Sequence, residues 1–298
     1  MSVAQASIGI DIGGTSIAVG LTRQGEVLEQ RELPTPKVSL GEFIDTIHRL
    51  IEPWATSHPG APIGACSPGL LDPRTGVMLY ASNIPFLKKV NLSELLSDKI
   101  GRSIHVYNDA NAAAYGEYAY GAARGLPSMM YFTVSTGIGG AFIDHNGVFA
   151  GAYGYAADVG HTTVQSGGRT CSCGQAGCLE AYASGTSITE RYFERTGEQF
   201  APSTIFRRAD AGDTDAEQVR AETAHFAALG VANAVKTFDA AGAVLGGGVV
   251  VHNPAFVELI AKELAGFTSN FRAIDLRVAE LGSAAGIIGT AALASLGK

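Results

Sequence analysis

Two segments of this chain carry the same order of local signals: a β-rich run, a turn of glycines and hydroxyls, and a second β-rich run. In the first, ASIGIDI leads through Gly13-Gly14-Thr15 into SIAVGL; in the second, MMYFTV leads through Ser135-Thr136-Gly137 into GAFID. β-formers broken by glycine predict a hairpin, and the recurrence predicts two similar lobes. A third run, EVLEQREL after Gln24-Gly25, extends the first hairpin to a meander. Phe43, Ile44, Ile47, Leu50, Ile51 and Trp54 share one helical face behind a Ser39 N-cap. Further helices are predicted over 93–100, 110–120, 215–236, 254–267 and 284–296, and strands at PIGAC, SIHVY and AVLGGGVV. The class is α/β.

A length of 298 residues suits two domains at roughly 150 each. Hydrophobic residues make up 46% and charged residues only 16%, which supplies large cores and argues against disorder. The net charge of −7, with no basic run, argues against binding nucleic acid through its phosphates, so anionic ligands must be held locally. The longest uncharged stretch, 125–143, contains Pro127, Ser128, Thr133, Ser135 and Thr136 and reads as buried strands, not a membrane span. No secretory signal is visible at the N-terminus, so a cytoplasmic location is expected.

Four patches carry candidate chemistry. Asp11-Ile12-Gly13-Gly14-Thr15 ends the first strand; its backbone N–H groups and the Thr15 hydroxyl suit phosphate oxygens, and Asp11 suits Mg²⁺ through water. An ordinary hairpin turn is the alternative. Asn108-Asp109 stands where a strand meets a helix, so Asp109 is either a base that deprotonates a sugar hydroxyl or merely an N-cap. Thr133 to Gly140 suits a second phosphate clamp, and Gly246-Gly247-Gly248 either admits a nucleotide closely or makes a tight turn. His161 with Cys171, Cys173 and Cys178 matches a closed tetrahedral Cys₃His set for structural Zn²⁺, with buried unliganded cysteines as the alternative. Cys66, alone in the sequence, reads as a small buried residue.

Together these patches resemble the ROK family of repressors, open reading frames and kinases, within the actin-like, hexokinase-like ATPases. The resemblance runs from Ile8 to the end through DIGGT (11–15), SPGLLD (67–72), SNIP (82–85), NDANAA (108–113), STGIGG (135–140), VGH (159–161), CSCGQAGCLE (171–180) and VLGGGVV (244–250). It implies a two-lobed, duplicated ribonuclease-H-like fold with a cleft between the lobes. Residues 1–120, joined by the C-terminal helix 284–298, would form one lobe, and 121–283, with the zinc loop, the other. It further implies a sugar kinase in which Asp109 is general base on the C6 hydroxyl. Asn83, Asn108, Asp158, His161 and Glu180 would hold the sugar. Asp11, Gly13, Gly14, Thr15, Thr136, Gly137, Gly247 and Gly248 would hold ATP and Mg²⁺. Family precedent implies a homodimer with no nucleic-acid or membrane partner.

Two departures bear on the substrate. Kinases of this family usually read Ala-Gly-Glu before x-Gly-His, where this chain has Ala156-Ala157-Asp158, a carboxylate one methylene shorter. Phe86-Leu87-Lys88-Lys89 replaces a small turn after SNIP. Glucose or a close aldohexose is the expected acceptor; an amino sugar or N-acetylhexosamine is the alternative that Asp158 keeps open, fructose a third. The family's repressors carry a helix-turn-helix ahead of the body, which a first strand near Ala6 does not lead one to expect. A non-catalytic sugar sensor would have no need of both Asp109 and the phosphate turns.

Overall fold

The computed structural model describes residues 5–72, 74–81 and 84–297. The chain divides into two compact units: Met1–Arg124, Asn146–Ala156 and Ser283–Lys298 form the first, and Gly125–His145 and Ala157–Gly282 the second. The segment 146–156, kept with residues 121–283 in the sequence reading, groups with the first unit. There the Arg74 guanidinium lies 5.2 Å from the centre of the Tyr153 ring.

Unit 1 opens with the antiparallel meander β1 (Ser7–Ile12), β2 (Ser16–Arg23) and β3 (Glu26–Pro34). Ser39 caps α1 (Leu40–Ser57), its hydroxyl accepting the Glu42 N–H at 3.2 Å. β4 (Ile63–Ser67) then runs parallel to β1. A small antiparallel sheet follows, β5 (Leu70–Asp72), β6 (Val77–Tyr80) and β7 (Val90–Asn91), whose strands are too short for alternation to announce them. α2 (Leu92–Ile100), β8 (Ile104–Asn108) and α3 (Asp109–Ala119) complete this stretch, with β8 parallel to β4. Ile8, Ile10 and Ile12 of β1 are wholly buried with Ile47 and Ile51 of α1, as the helical spacing requires.

The uncharged stretch forms β9 (Met129–Val134) and β10 (Ile138–Asp144), with β11 (Gly147–Val148) at the sheet edge. Then come α4 (Glu180–Ala183), α5 (Gly185–Thr196), α6 (Pro202–Asp210) and α7 (Thr214–Phe238). β12 (Gly242–Gly246), α8 (Gly248–Val251), α9 (Pro254–Phe267), β13 (Asp275–Val278) and α10 (Ala285–Ser295) close the chain. The two large sheets run β3-β2-β1-β4-β8 and β11-β10-β9-β12-β13. Both therefore follow the order third, second, first, fourth, fifth, which is the duplicated ribonuclease-H-like fold. Among the described residues no helix is long and apolar enough to cross a membrane.

AVLGGGVV is not one strand, as expected, but a strand that breaks. Gly247 turns at φ +86, where a Cβ would stand 2.2 Å from the Val134 carbonyl oxygen, and Val249-Val250 fall in α8. α10 reaches the core of unit 1 by close approach: a Cβ at Gly289 would stand 1.7 Å from the Ala112 oxygen of α3, so no larger residue fits without moving a helix.

Candidate active site

In unit 1 the functional groups collect at the ends of β1, β4 and β8. Asp11 and Cys66 are register partners across the parallel pair β1/β4, and the buried Cys66 thiol donates to Asp11 Oδ1 at 3.4 Å. Burial raises the Asp11 carboxyl above its usual range, the Cys66 hydrogen bond works against that rise, and Glu32 adds to it. On the other side Gly286 of α10 leaves room for the carboxylate, since a Cβ there would lie 2.3 Å from Asp11 Oδ2.

The β1–β2 turn is held by Gly13 N–H to the Ser16 oxygen at 2.8 Å and by the Thr35 hydroxyl to the Gly13 oxygen at 2.7 Å. Gly13 is required here for space, because a Cβ would meet the Ser16 oxygen at 2.8 Å. Thr15 is exposed beside it. Lys37, which sequence reasoning missed, donates its ammonium to the Gly14 oxygen and brings a cation to the turn. No motif marks it; only the fold of β3 and its following loop brings it there.

At the start of α3 the capping duty falls to Asn108. Its Oδ1 accepts the Asn111 N–H at 3.1 Å and its Nδ2 donates to the Gly69 oxygen at 3.1 Å. Asp109 is thereby free of the N-cap role that was the alternative reading. Its Oδ1 accepts the Ala110 N–H at 2.8 Å. Burial pushes its carboxyl up to about 6, against that hydrogen bond and with help from Asp11. Asn83 lies outside the described residues. A cavity of about 660 Å³ in unit 1 reaches Tyr107, Asn108 and Asn111. Much of its polar lining is committed: Asn91 caps α2 and Ser93 accepts the Val106 N–H.

Unit 2 gathers the other group. The Ser135-Thr136-Gly137 turn is bound to the start of α5 through Gly185 N–H to the Ser135 oxygen at 2.7 Å and the Thr186 hydroxyl to the Thr136 oxygen at 2.9 Å. Glu180 ties the same turn to the cysteine loop. Its Oε2 accepts the Ile138 N–H at 2.9 Å and its Oε1 the Ser172 hydroxyl at 3.2 Å. A Cβ on Gly137 would stand 2.6 Å from that carboxylate, so glycine is needed for the contact. Thr136, Thr186 and Gly248 line a cavity of about 530 Å³ with Thr189, Glu190, Gln199, Pro202 and Ser203 on α5 and α6 and the loop between them. Neither helix was anticipated from the sequence, so this wall was missed with them.

His161, Cys171, Cys173 and Cys178 present one donor atom each, all within 4.8 Å of one another. Zn–S bonds of about 2.3 Å and a Zn–N bond of about 2.0 Å at tetrahedral angles require S···S edges of about 3.8 Å and N···S edges of about 3.5 Å. The Cys173–Cys178 sulfurs stand 3.7 Å apart and His161 Nδ1 3.6 Å from Cys171 Sγ. The residues present thus fit Zn²⁺, and with Nδ1 turned to the cluster the ring keeps Nε2 for another partner. Ala157, in the turn before Asp158, has φ +58, a left-handed conformation that costs an L-residue about 1–2 kcal/mol. Asp158 itself centres an inverse γ-turn at φ −71, ψ 61, closed by Val159 N–H to the Ala157 oxygen at 2.7 Å. Desolvation raises the Asp158 carboxyl, His161 opposes the rise and Glu180 adds to it, so these three residues share one electrostatic environment.

Comparison with known proteins finds relatives across the whole chain. The chain is similar over 98% of its length to 99% of a ROK hexokinase from Thermus thermophilus, with 35% identity and a TM-score of 0.92. It is similar to a ROK family glucokinase from Streptomyces griseus in complex with glucose and AMPPNP, at 30% identity and a TM-score of 0.77, covering 98% and 99% of the two chains. An N-acetylmannosamine kinase from Escherichia coli O157:H7 is 33% identical over 97% of this chain and 98% of the relative. The ROK family profile matches residues 7–296. With the duplicated fold, this extent of match assigns the chain to the ROK family.

Proposed function

We propose that this protein is an ATP-dependent sugar kinase that phosphorylates the C6 hydroxyl of an aldohexose, with glucose as the preferred acceptor. The observation that carries the proposal is Asp109: a carboxylate enclosed at a helix start, relieved of capping by Asn108, with its carboxyl raised to about 6. A base of that strength is ionised near neutral pH and still accepts a proton as the acceptor oxygen forms its bond to phosphorus. The relatives add support, one a hexokinase and one a glucokinase complexed with glucose and AMPPNP, an imido analogue of ATP.

In this reading Asp109 takes the C6 hydroxyl proton while the oxygen attacks the γ-phosphorus and ADP leaves. The loose transition state makes orientation and charge neutralisation the main tasks. Asn108, Asn83, Asp158, His161 and Glu180 are assigned to the other sugar hydroxyls. Gly13, Gly14, Thr15, Thr136 and Gly137 serve the phosphates, and Lys37 adds positive charge at the first of these turns. Gly247 and Gly248 border the adenosine end. Asp11 would face Mg²⁺ through water, the ion supplying neutralisation of phosphate charge. Zn²⁺ at His161, Cys171, Cys173 and Cys178 would hold the loop that carries Glu180. The family precedent of a homodimer stays an expectation to be checked by sedimentation.

A second reading, an amino-sugar or N-acetylhexosamine kinase, is favoured by two observations: the short Asp158 carboxylate and the similarity to an N-acetylmannosamine kinase. ADP release with Mg-ATP across glucose, mannose, glucosamine, N-acetylglucosamine and N-acetylmannosamine separates the readings. Highest turnover with glucose supports the first, and highest turnover with an N-acetylated sugar overturns it. Asp158→Glu is expected to shift kcat/KM toward glucose relative to the amino sugars by about 10-fold, in the range for one mispositioned polar group. An unchanged ranking would remove Asp158 as a selector.

A further inference from the structure

Both oxygens of Glu180, the carboxylate assigned to a sugar hydroxyl, already have a partner within unit 2. Oε2 accepts the Ile138 N–H at 2.9 Å, and Oε1 accepts the Ser172 hydroxyl at 3.2 Å. Cys171 stands against this pair, its Sγ 3.9 Å from Glu180 Oε1 and 4.0 Å from Ser172 Oγ. As a free thiol Cys171 would donate weakly to Oε1. As a ligand of Zn²⁺ it is a thiolate with no proton to give, so the same contact sets two anions side by side. Among the described residues the Ser172 hydroxyl is then the donor that remains on Oε1. That hydroxyl is held in place: Ser172 lies between Cys171 and Cys173 of the metal set, in a turn closed by Cys171 N–H to the Gln175 oxygen at 2.8 Å and Gly174 N–H to the Cys171 oxygen at 2.9 Å. Water reaching Oε1 in its place would have to be immobilised, a cost the tethered hydroxyl does not carry.

We propose that Ser172 is a positioning residue: it holds the Glu180 carboxylate in the orientation that meets the sugar and offsets its repulsion from Cys171. The assignment rests on the proposed sugar contact of Glu180 and goes beyond it by naming the group that sets that contact. An ionised carboxylate has about four acceptor positions. Ile138 and Ser172 take one on each oxygen, which fixes the carboxylate plane and leaves the others for hydroxyl donors of the sugar. Without Ser172, Oε1 has no donor and faces a thiolate, so the carboxylate turns about the Ile138 bond that still holds Oε2. The phosphate turn keeps its tie through Ile138, and the loss therefore falls on the sugar and not on ATP.

The test titrates glucose and N-acetylmannosamine calorimetrically without ATP, and measures KM for sugar and for ATP separately, in the wild type, Ser172→Ala, Ser172→Thr, Glu180→Gln and the Ser172→Ala/Glu180→Gln double variant. Zinc content and thermal midpoint are recorded for each. Ser172→Ala is expected to raise Kd and KM for the sugar about 10-fold, the loss expected for one hydrogen bond to a charged group. Its kcat and its KM for ATP should stay within about 2-fold of the wild type, with zinc and midpoint retained. Ser172→Thr keeps the hydroxyl and is expected to restore sugar binding. In Glu180→Gln the charge that Ser172 holds is gone, so adding Ser172→Ala should lower kcat/KM by less than about 2-fold. Unchanged sugar affinity in Ser172→Ala overturns the assignment and leaves the kinase reading intact. Loss of zinc from that variant, or a rise in its KM for ATP equal to that for the sugar, marks a loosened loop and overturns it in the same way. Wild-type protein that binds neither sugar overturns the proposed sugar contact of Glu180 and this assignment with it.

Discussion

Asp109→Asn lowers kcat by about 10³-fold and leaves the thermal midpoint at pH 7 unchanged or higher. The first half follows from removing a general base, which contributes typically about 10²–10⁴-fold. The second follows from the sign of the pKa shift. Burial raises the Asp109 carboxyl from 3.8 in a free chain to about 6 in the folded protein, so the folded state disfavours its charge. The folded state then binds more protons than the unfolded state between about pH 4 and 6. The contribution of this group to stability is full below pH 4 and is lost as pH rises through 6. Asparagine carries no charge and still accepts the Ala110 N–H through its own Oδ1, so the substitution removes a cost at neutral pH. The same shift predicts that kcat/KM falls about 10-fold for each pH unit below about 6, when measured with a saturable coupling system. Near-normal turnover in Asp109→Asn, or an acid limb centred near pH 4, would contradict the assignment of the base.

Removal of the metal is the second large effect. Freshly purified protein is expected to contain about one equivalent of zinc by elemental analysis, and Cys178→Ser to contain none. Structural zinc sites supply about 10–16 kcal/mol in small zinc-dependent folds at neutral pH, so loss of the ion leaves the loop held by hydrogen bonds such as Cys171 N–H to the Gln175 oxygen and Gly177 N–H to the Arg169 oxygen. Cys178 lies two residues before Glu180, and Glu180 holds the Ile138 N–H at the Thr136-Gly137 turn. Loosening the loop thereby releases the phosphate turn. The variant should lose more than about 10-fold in kcat/KM together with several degrees of thermal midpoint, read by calorimetry. Cys66→Ser, which touches Asp11 and not the loop, should retain its zinc. Metal-free wild-type protein with an unchanged midpoint would contradict the assignment.

The elements that sequence reasoning reached are those whose signal is local. The three strands of the first meander, the Ser39 cap, β9 and α9 follow from β-propensity, capping chemistry and helical periodicity within each segment. The small sheet β5-β6-β7 was not legible because two to four residues give no alternation. α5 and α6 were hidden by dense charge: Arg191 is buried against Glu222 and Thr223, a partnership that exists only once α5 packs on α7. The cysteine spacing, with His161, pointed to a cluster that the fold does bring together. The commitment of Asn108 to capping, which frees Asp109, is a property of side-chain geometry that Asn-Asp in sequence leaves undecided. Lys37 likewise enters only through tertiary placement.

Transfer to the C6 hydroxyl is tested by product identification with ³¹P and ¹³C NMR after incubation with Mg-ATP and [6-¹³C]glucose. ADP and a phosphomonoester are expected in equal amounts, with the ¹³C signal at C6 split by phosphorus, and about 10³-fold less of this product from Asp109→Asn over the same time. Phosphate appearing on another carbon, or ATP consumed to ADP and inorganic phosphate with the sugar unchanged, would contradict it.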